Sequence, residues 1–249
     1  MAGSSDTVTF LFTDIEGSTR LWQQDDAAMR SALSRHDQLL RKVIAEHEGT
    51  VFSVMGDGMA AAFGSASAAV NAALAGQRSL AAEPWRTATP LRVRMGLHTG
   101  EAERRDGDYF GTVVNRAARL MAVGHGGQVL CSSTTADLVG DTQLSLTDLG
   151  EHRLRDLDRP MHVFQVGAGS FPALGSLDRL PGNLPEQVTN FVGRQTEVAE
   201  LVGLVGAHRL VTLTGAGGVG KTRLAVQVAA ELAGEFGDGV WMVELAPVG

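Results

Sequence analysis

One stretch constrains this chain more than any other: Phe10-Leu11-Phe12-Thr13-Asp14-Ile15-Glu16-Gly17-Ser18-Thr19. An apolar strand over residues 8–12 runs into an acidic residue, a tight hydroxyl-rich turn follows, and a helix starts at about Ser18 or Thr19. A carboxylate at a strand end, beside the free N–H groups of a helix N-terminus, can hold a metal ion and the phosphates attached to it. Taken alone, the stretch also reads as an ordinary strand-to-helix turn with Ser18 or Thr19 as N-cap.

The composition narrows the field. With 249 residues, 44% of them hydrophobic, the chain can bury a real core and by length holds one domain or two. Low aromatic content beside 31 glycines points to small-residue packing and tight turns, as in α/β chains. A net charge of −7 argues against nucleic-acid binding by a broad basic face. Cys131 is the single cysteine, which excludes an intrachain disulfide and a thiolate zinc site. Residues 1–6 show no basic-then-apolar signal pattern, and no apolar run approaches the roughly 20 residues that span a bilayer. The expectation is a soluble cytoplasmic protein with no membrane or direct nucleic-acid partner.

Along the chain, helical spacing over residues 18–48 predicts one long helix, or two with a break near residues 24–26, ended by Gly49. Residues 50–55 and 59–63 read as a hairpin around Gly56-Asp57-Gly58, and 65–82 as an alanine-rich helix. Residues 91–98 alternate as a strand with one wet face, continuing over 102–105 after a bend at Gly100. Then come a helix over 113–123, a strand over 128–132, a short helix over 134–139, and strands over 143–149 and 161–166. Glycine and proline crowd residues 167–186 without periodicity, which reads as a linker. Beyond it follow a helix over 196–205, an apolar strand over 209–214, a helix to about residue 233 and a strand over 240–245.

Asp14 and Asp57 close or flank strands; if strands one (8–12) and two (50–55) are neighbours, the two carboxylates can converge on a pair of divalent cations. Asp57 taken alone reads first as an Asp-Gly hairpin-turn residue. Asn115 and Arg119 share a helix face and suit a ribose and a charged phosphate, or form a solvated polar stripe, with Arg116 off that face. Asp108, in the loop entering that helix, can accept from a base amino group or serve the turn.

Together, Phe12-Thr13-Asp14-Ile15-Glu16-Gly17-Ser18-Thr19, Gly56-Asp57-Gly58, and Gly107-Asp108-Tyr109-Phe110-Gly111 running into Val114-Asn115-Arg116-Ala117-Ala118-Arg119 resemble the class III nucleotidyl cyclase catalytic domain. Leu149-Gly150-Glu151-His152-Arg153-Leu154 matches the family's ending, and the resemblance covers about residues 6–166. It implies a palm-like α/β (α+β) fold with a mostly antiparallel sheet and flanking helices, working as a head-to-tail homodimer. Asp14 and Asp57, with the Ile15 backbone, would hold two Mg2+ or Mn2+ ions, and the amides of Ile15, Glu16, Gly17, Ser18 and Thr19 would hold the triphosphate. The partner subunit would supply Asn115 and Arg119. The implied reaction is attack of the ribose 3′-hydroxyl on the α-phosphorus of ATP, giving cyclic AMP and pyrophosphate. Asp108 matches one base-reading position. At the other the family's adenylate cyclases carry a lysine, and this chain has Ser53, too short and uncharged to replace it. A degenerate, non-turning-over dimerisation or nucleotide-binding module is the alternative.

Gly215-Ala216-Gly217-Gly218-Val219-Gly220-Lys221-Thr222 satisfies the P-loop pattern after an apolar strand and before a helix. Its amides would cradle phosphates, with Gly215, Gly217, Gly218 and Gly220 shaping the loop, Lys221 neutralising charge and Thr222 ligating magnesium. With Phe191-Val192-Gly193-Arg194, it resembles the nucleotide-binding domain of STAND-type ATPases, cut short to a partial βαβ unit without a Walker B strand. The expected organisation is a cyclase domain over 1–167, a linker over 168–186 and a truncated P-loop segment over 187–249, with the chain a fragment of a longer regulator or a truncated product.

Overall fold

In a computed structural model of the chain, the described residues are 5–105, 108–140, 144–176, 184, 194–233, 236 and 239–244. The chain divides into two compact units, Met1–Asp178 and Arg179–Gly249. Phe191, Val192, Gly193, Gly107 and most of the span 177–193 lie outside the described residues.

The first unit is built on one sheet. Its strands are β1 (Ser5–Ile15), β2 (Thr50–Met55), β3 (Gly58–Phe63), β4 (Val93–Arg105), β5 (Asp108–Phe110), β6 (Val129–Ser132), β7 (Leu146–His152) and β8 (Met161–Val166). They lie in the order β2-β3-β1-β4-β6-β8-β7, with β5 paired to β4, and only β4–β6 is parallel. This is the expected mixed α/β, palm-like class with a mostly antiparallel sheet.

Alternation along β1 decides what packs where. Leu11 and Ile15 join the larger cluster with Met29, Leu40 and Val70. These come from α2 (Asp26–Glu46) and α3 (Ala66–Ala82). Phe10 and Phe12 point to the other face, where Val113 and Ala117 of α4 (Thr112–Ala122) cover them. A strand's period of two puts successive side chains on opposite faces, so both faces of β1 are buried. Asp25 separates α1 (Ser18–Gln24) from α2, its side chain accepting from Ala28 N–H at 2.9 Å, so the predicted helix is two.

Two expectations change. The left-handed residue after α2 is Glu48, at φ 60°, not Gly49. Gly49 is required for space, since a Cβ there would lie 2.3 Å from the Phe63 ring. The wet face predicted for residues 91–98 is also absent beyond Arg92. Arg94 reaches Asp14, Gly96 lies under α4, and His98 is 5% exposed with Nδ1 2.7 Å from Ser132 Oγ. A polar residue in a sequence marks a wet face only where no helix covers it, and α4 covers this one. Burial, with a smaller effect of nearby Arg116, pushes the His98 imidazole down to about 4.

Beyond β8, residues 168–176 run along the first unit. Leu174 is buried with Leu120, Val123 and Leu154, Gly175 N–H donates to Val123 O at 3.0 Å, and Ser176 Oγ lies 2.9 Å from His152 Nδ1. His152 Nε2 donates to Leu149 O at 3.0 Å, so its Nδ1 accepts the Ser176 hydroxyl. α5 (Ser133–Val139) closes the sheet's far face, where Thr9, Thr99 and Thr135 join hydroxyls at 2.9 and 3.0 Å.

In the second unit, α6 (Gln195–Ala207) and α7 (Lys221–Leu232) pack through Val198, Leu224, Val228 and Leu232. Residues 209–214, expected as a strand, form none, and only an isolated bridge at Val240 marks the second expected strand. A strand exists only with a hydrogen-bonded neighbour, and residues 209–214 show no strand pairing among the described residues. Leu210, Trp241 and Val243 are exposed. Among the described residues, no helix of the chain is long and apolar enough to cross a membrane.

The seat of α4 on the sheet depends on Gly96, where a Cβ would meet Met121 N at 2.4 Å. Gly96→Ala is expected to cost about 1–3 kcal/mol by overpacking, read as a lowered denaturation midpoint. Gly64→Ala, where a Cβ meets nothing within 4 Å, is expected to stay within about 0.5 kcal/mol.

Candidate active site

Asp14 stands near the end of β1, on the face that carries Phe10, Phe12 and α4. Its carboxylate is held by Arg94, directly opposite on β4, with Nη2 and Nε donating to Oδ2 at 2.6 and 2.8 Å. Arg94 Nη1 also donates to Ala122 O at the end of α4, at 3.0 Å. Burial raises the Asp14 pKa, Arg94 opposes the rise by charge and hydrogen bond, and the Asp57 carboxylate adds to it. Strands one and two are not the neighbours that the expectation required, because β3 lies between them.

The adjacency of the two acids follows from the hairpin. β3 pairs with both β1 and β2, which brings the β2–β3 turn to the end of β1. Gly58 permits the approach: a Cβ there would lie 3.2 Å from Thr13 O and 4.0 Å from Asp14 Oδ1. Asp57 Oδ2 is buried with no hydrogen-bond partner. A buried carboxylate oxygen without a partner is costly, and it is the kind of donor a hard cation takes. Among the described residues no group of three His, Cys, Asp or Glu side chains converges as a metal cage. Two carboxylates and a backbone carbonyl suit an ion that keeps its remaining positions for phosphate and water.

The turn after Asp14 differs in detail from expectation. The N-cap of α1 is Gly17, left-handed at φ 66°, with no side-chain cap, and Ser18 is already helical. The leading amides of α1 thus have neither an intrahelical acceptor nor a cap. Glu16, expected among the phosphate-facing amides, donates its N–H to Arg92 O at 2.9 Å and points its carboxylate at Gly126.

Ser53 follows a register shift in β2, with Phe52 as the extra residue. Ser53, Ala60 and Phe12 stand in register across three strands, on α4's face of the sheet. Phe52 packs edge-on against Phe10, Phe12 and Tyr109. Asp108, next to Tyr109, is exposed, and its Oδ1 accepts the Tyr109 N–H at 2.8 Å.

Asn115 is exposed near the start of α4, and Arg119 is half-buried one turn on, its Nη2 2.5 Å from Asp156 Oδ2. Asp14 is reached through Arg94 at the other end of that helix. Asn115 and Ala122 are two turns, about 10 Å, apart along the axis. Asp14 and Asp57 therefore come together within the chain, whereas Asn115 lies at the far end of α4 and Arg119 is turned to Asp156. Sequence reading missed Arg94, Asp156 and the Glu16–Gly126 contact. An arginine in a strand that is otherwise buried was the one available signal, for Arg94.

With this geometry in hand, comparisons with known proteins agree. The family described as the adenylate and guanylate cyclase catalytic domain matches residues 1–167. An uncharacterized protein of Mycobacterium tuberculosis is 41% identical over 203 residues, covering 78% of this chain and 69% of that one. A putative adenylate cyclase of Rhizobium meliloti is 35% identical over 160 residues, 62% of this chain but 27% of its own length. Among solved structures, an adenylate cyclase from Trypanosoma brucei in its monomeric state superposes with a TM-score of 0.65 at 29% identity, covering 68% of this chain and 92% of that one. The adenylyl cyclase CyaB from P. aeruginosa gives 0.62 at 27%, covering 70% and 100%. Family match, fold and paired carboxylates coincide on one region, and this chain belongs to the adenylate and guanylate cyclase catalytic domain family.

Proposed function

We propose that residues 1–167 cyclise ATP to 3′,5′-cyclic AMP and pyrophosphate at a head-to-tail homodimer interface. The observation that carries this is the unpartnered, buried Asp57 Oδ2 beside Asp14. Asp14, Asp57 and the Ile15 carbonyl would hold two Mg2+ or Mn2+ ions, which when bound acidify the 3′-hydroxyl and neutralise phosphate charge. Arg94 pairs with Asp14 Oδ2 and, were a cation to share that carboxylate, could turn toward the triphosphate. The uncapped amides of Gly17, Ser18 and Thr19 would accept phosphate oxygens. Asn115 would orient the ribose, and Arg119, freed from Asp156, would stabilise charge at the α-phosphorus.

The dimer is supported by the length of α4, which keeps Asn115 from Asp14 within one chain. It is supported also by the exposed apolar Val54, Met55 and Phe110 on the hairpin and strand bordering the site, a surface suited to a second copy. Ser53 and Asp108 would read the base. Ser53 alone favours a second reading, a nucleotide-binding or dimerisation module without turnover.

We infer also that the second unit carries a P-loop whose glycines, Lys221 and Thr222 would hold nucleotide phosphates. Lys221 Nζ donates to Gly215 O and Ala216 O at 2.9 and 2.8 Å, Gly218 and Gly220 are left-handed at φ 77° and 83°, and Thr222 follows in the first turn of α7. The proposed division is a cyclase domain over 1–167, a linker from 168 whose first residues rest on that domain, and a P-loop segment from 187.

The deciding assay supplies ATP and GTP side by side with Mn2+ and follows cyclic product; cyclic AMP is expected, and no cyclic product from either nucleotide overturns the cyclase reading. Asp57→Asn, nearly isosteric, is expected to lower kcat by about 100-fold or more, and full activity in it would remove the metal role. Asp14→Ala and Arg119→Ala should each be inactive and regain activity on mixing. Failure to do so with heterodimers confirmed would reject the shared site. Ser53→Lys is expected to shift the kcat/KM ratio toward ATP by about tenfold, and an unchanged ratio would move base reading elsewhere.

A further inference from the structure

A side chain ties the turn after Asp14 to the loop after α4. Glu16 Oε1 accepts from Gly126 N–H at 3.0 Å. The fit is close: a Cβ on Gly126 would lie 2.7 Å from Glu16 Oε2 and 2.5 Å from Arg92 Cβ. His125, one residue earlier, has Nδ1 4.0 Å from the same Glu16 oxygen and donates from Nε2 to Ala173 O at 3.0 Å. Ala173 lies in the strap 168–176, which is itself anchored by buried Leu174 and Ser176. The loop 123–127 is thus clasped between the Asp14 turn and the strap.

We propose that Glu16 is a positioning residue for cyclisation: its carboxylate, seated on the Gly126 N–H with His125 and the strap behind it, fixes the Asp14 turn against the end of α4. The proposal rests on the cyclase reading. Two side-chain links tie the Asp14 turn to the end of α4 and the loop after it: Arg94 bridging Asp14 to Ala122 O, and Glu16 on Gly126. The first would loosen if a bound cation drew Asp14 Oδ2 away from Arg94, and Glu16 would then be the remaining one of these two links. Its carboxylate and its N–H are both engaged within the chain, so its loss is expected to act on the alignment of Asp14 and on turnover rather than on affinity. Misplacement of a reacting group by about 1 Å is enough to cost orders of magnitude in rate.

The test compares the full chain with Glu16→Ala and Glu16→Gln, in cyclisation with Mn2+ and in amide hydrogen exchange over residues 123–127. Glu16→Ala is expected to lower kcat about tenfold with KM within about twofold, and to speed exchange at Gly126. Glu16→Gln keeps Oε1 as an acceptor and is expected to recover most of the rate and the protection. Unchanged kcat in Glu16→Ala overturns the proposal, as does a Gln variant no better than Ala, or a KM that rises in step with the fall in kcat/KM. Should the unaltered chain cyclise neither ATP nor GTP, it is the cyclase reading that has fallen. The exchange comparison still decides whether Glu16 holds the loop, and equal exchange in the unaltered chain and Glu16→Ala rejects that contact.

Discussion

A half-buried carboxylate at the end of a central strand sets the terms for the first unit. Asp14 is removed from water by the sheet and raised in pKa by that burial, and Arg94 offsets the cost from the neighbouring strand. A second carboxylate, Asp57, is brought alongside by a hairpin that needs Gly58 to come so near. Two acids together in a partly dry place disfavour each other's ionised form, and the Arg94 guanidinium opposes that for Asp14.

The same constraint runs through α4. Because Gly96 has no side chain, the helix lies close on the sheet, and its end meets Arg94 through Ala122 O. Val113 and Ala117 cover Phe10 and Phe12, whose strand carries Asp14 two residues on. The packing that buries the aromatic cluster therefore also positions the acid. Helix length does the rest: it holds Asn115 about two turns from the end that meets Arg94.

Much of the fold was legible. Period-two alternation at residues 8–12 and helical spacing in α2, α3 and α4 are local properties, and they appear where the chain predicts them. So do the Gly56-Asp57-Gly58 turn and the break at Asp25, whose side chain caps the next helix. The failures have a common cause. Residues 91–98 alternate as if one face were wet, but α4 arrives from elsewhere in the chain to cover it. Residues 209–214 have strand composition, but composition supplies no pairing partner. Which side chains rest on buried partners is likewise not in the composition, as Leu174 in its cluster and Ser176 beside His152 show.

By itself the sequence determined the residue types and their order: acids at strand ends, a glycine-flanked hairpin, a polar pair one helical turn apart, and a glycine-rich loop before Lys221. Those follow from local spacing, which the chain carries in one dimension. Only the tertiary structure decided which groups share an environment. It gave Arg94 to Asp14, left Asp57 Oδ2 without a partner, turned Arg119 to Asp156, and spent the Glu16 carboxylate on Gly126. Burial, ion pairing and pKa depend on neighbours brought from tens of residues away, and strand register and helix packing, not sequence spacing, bring them.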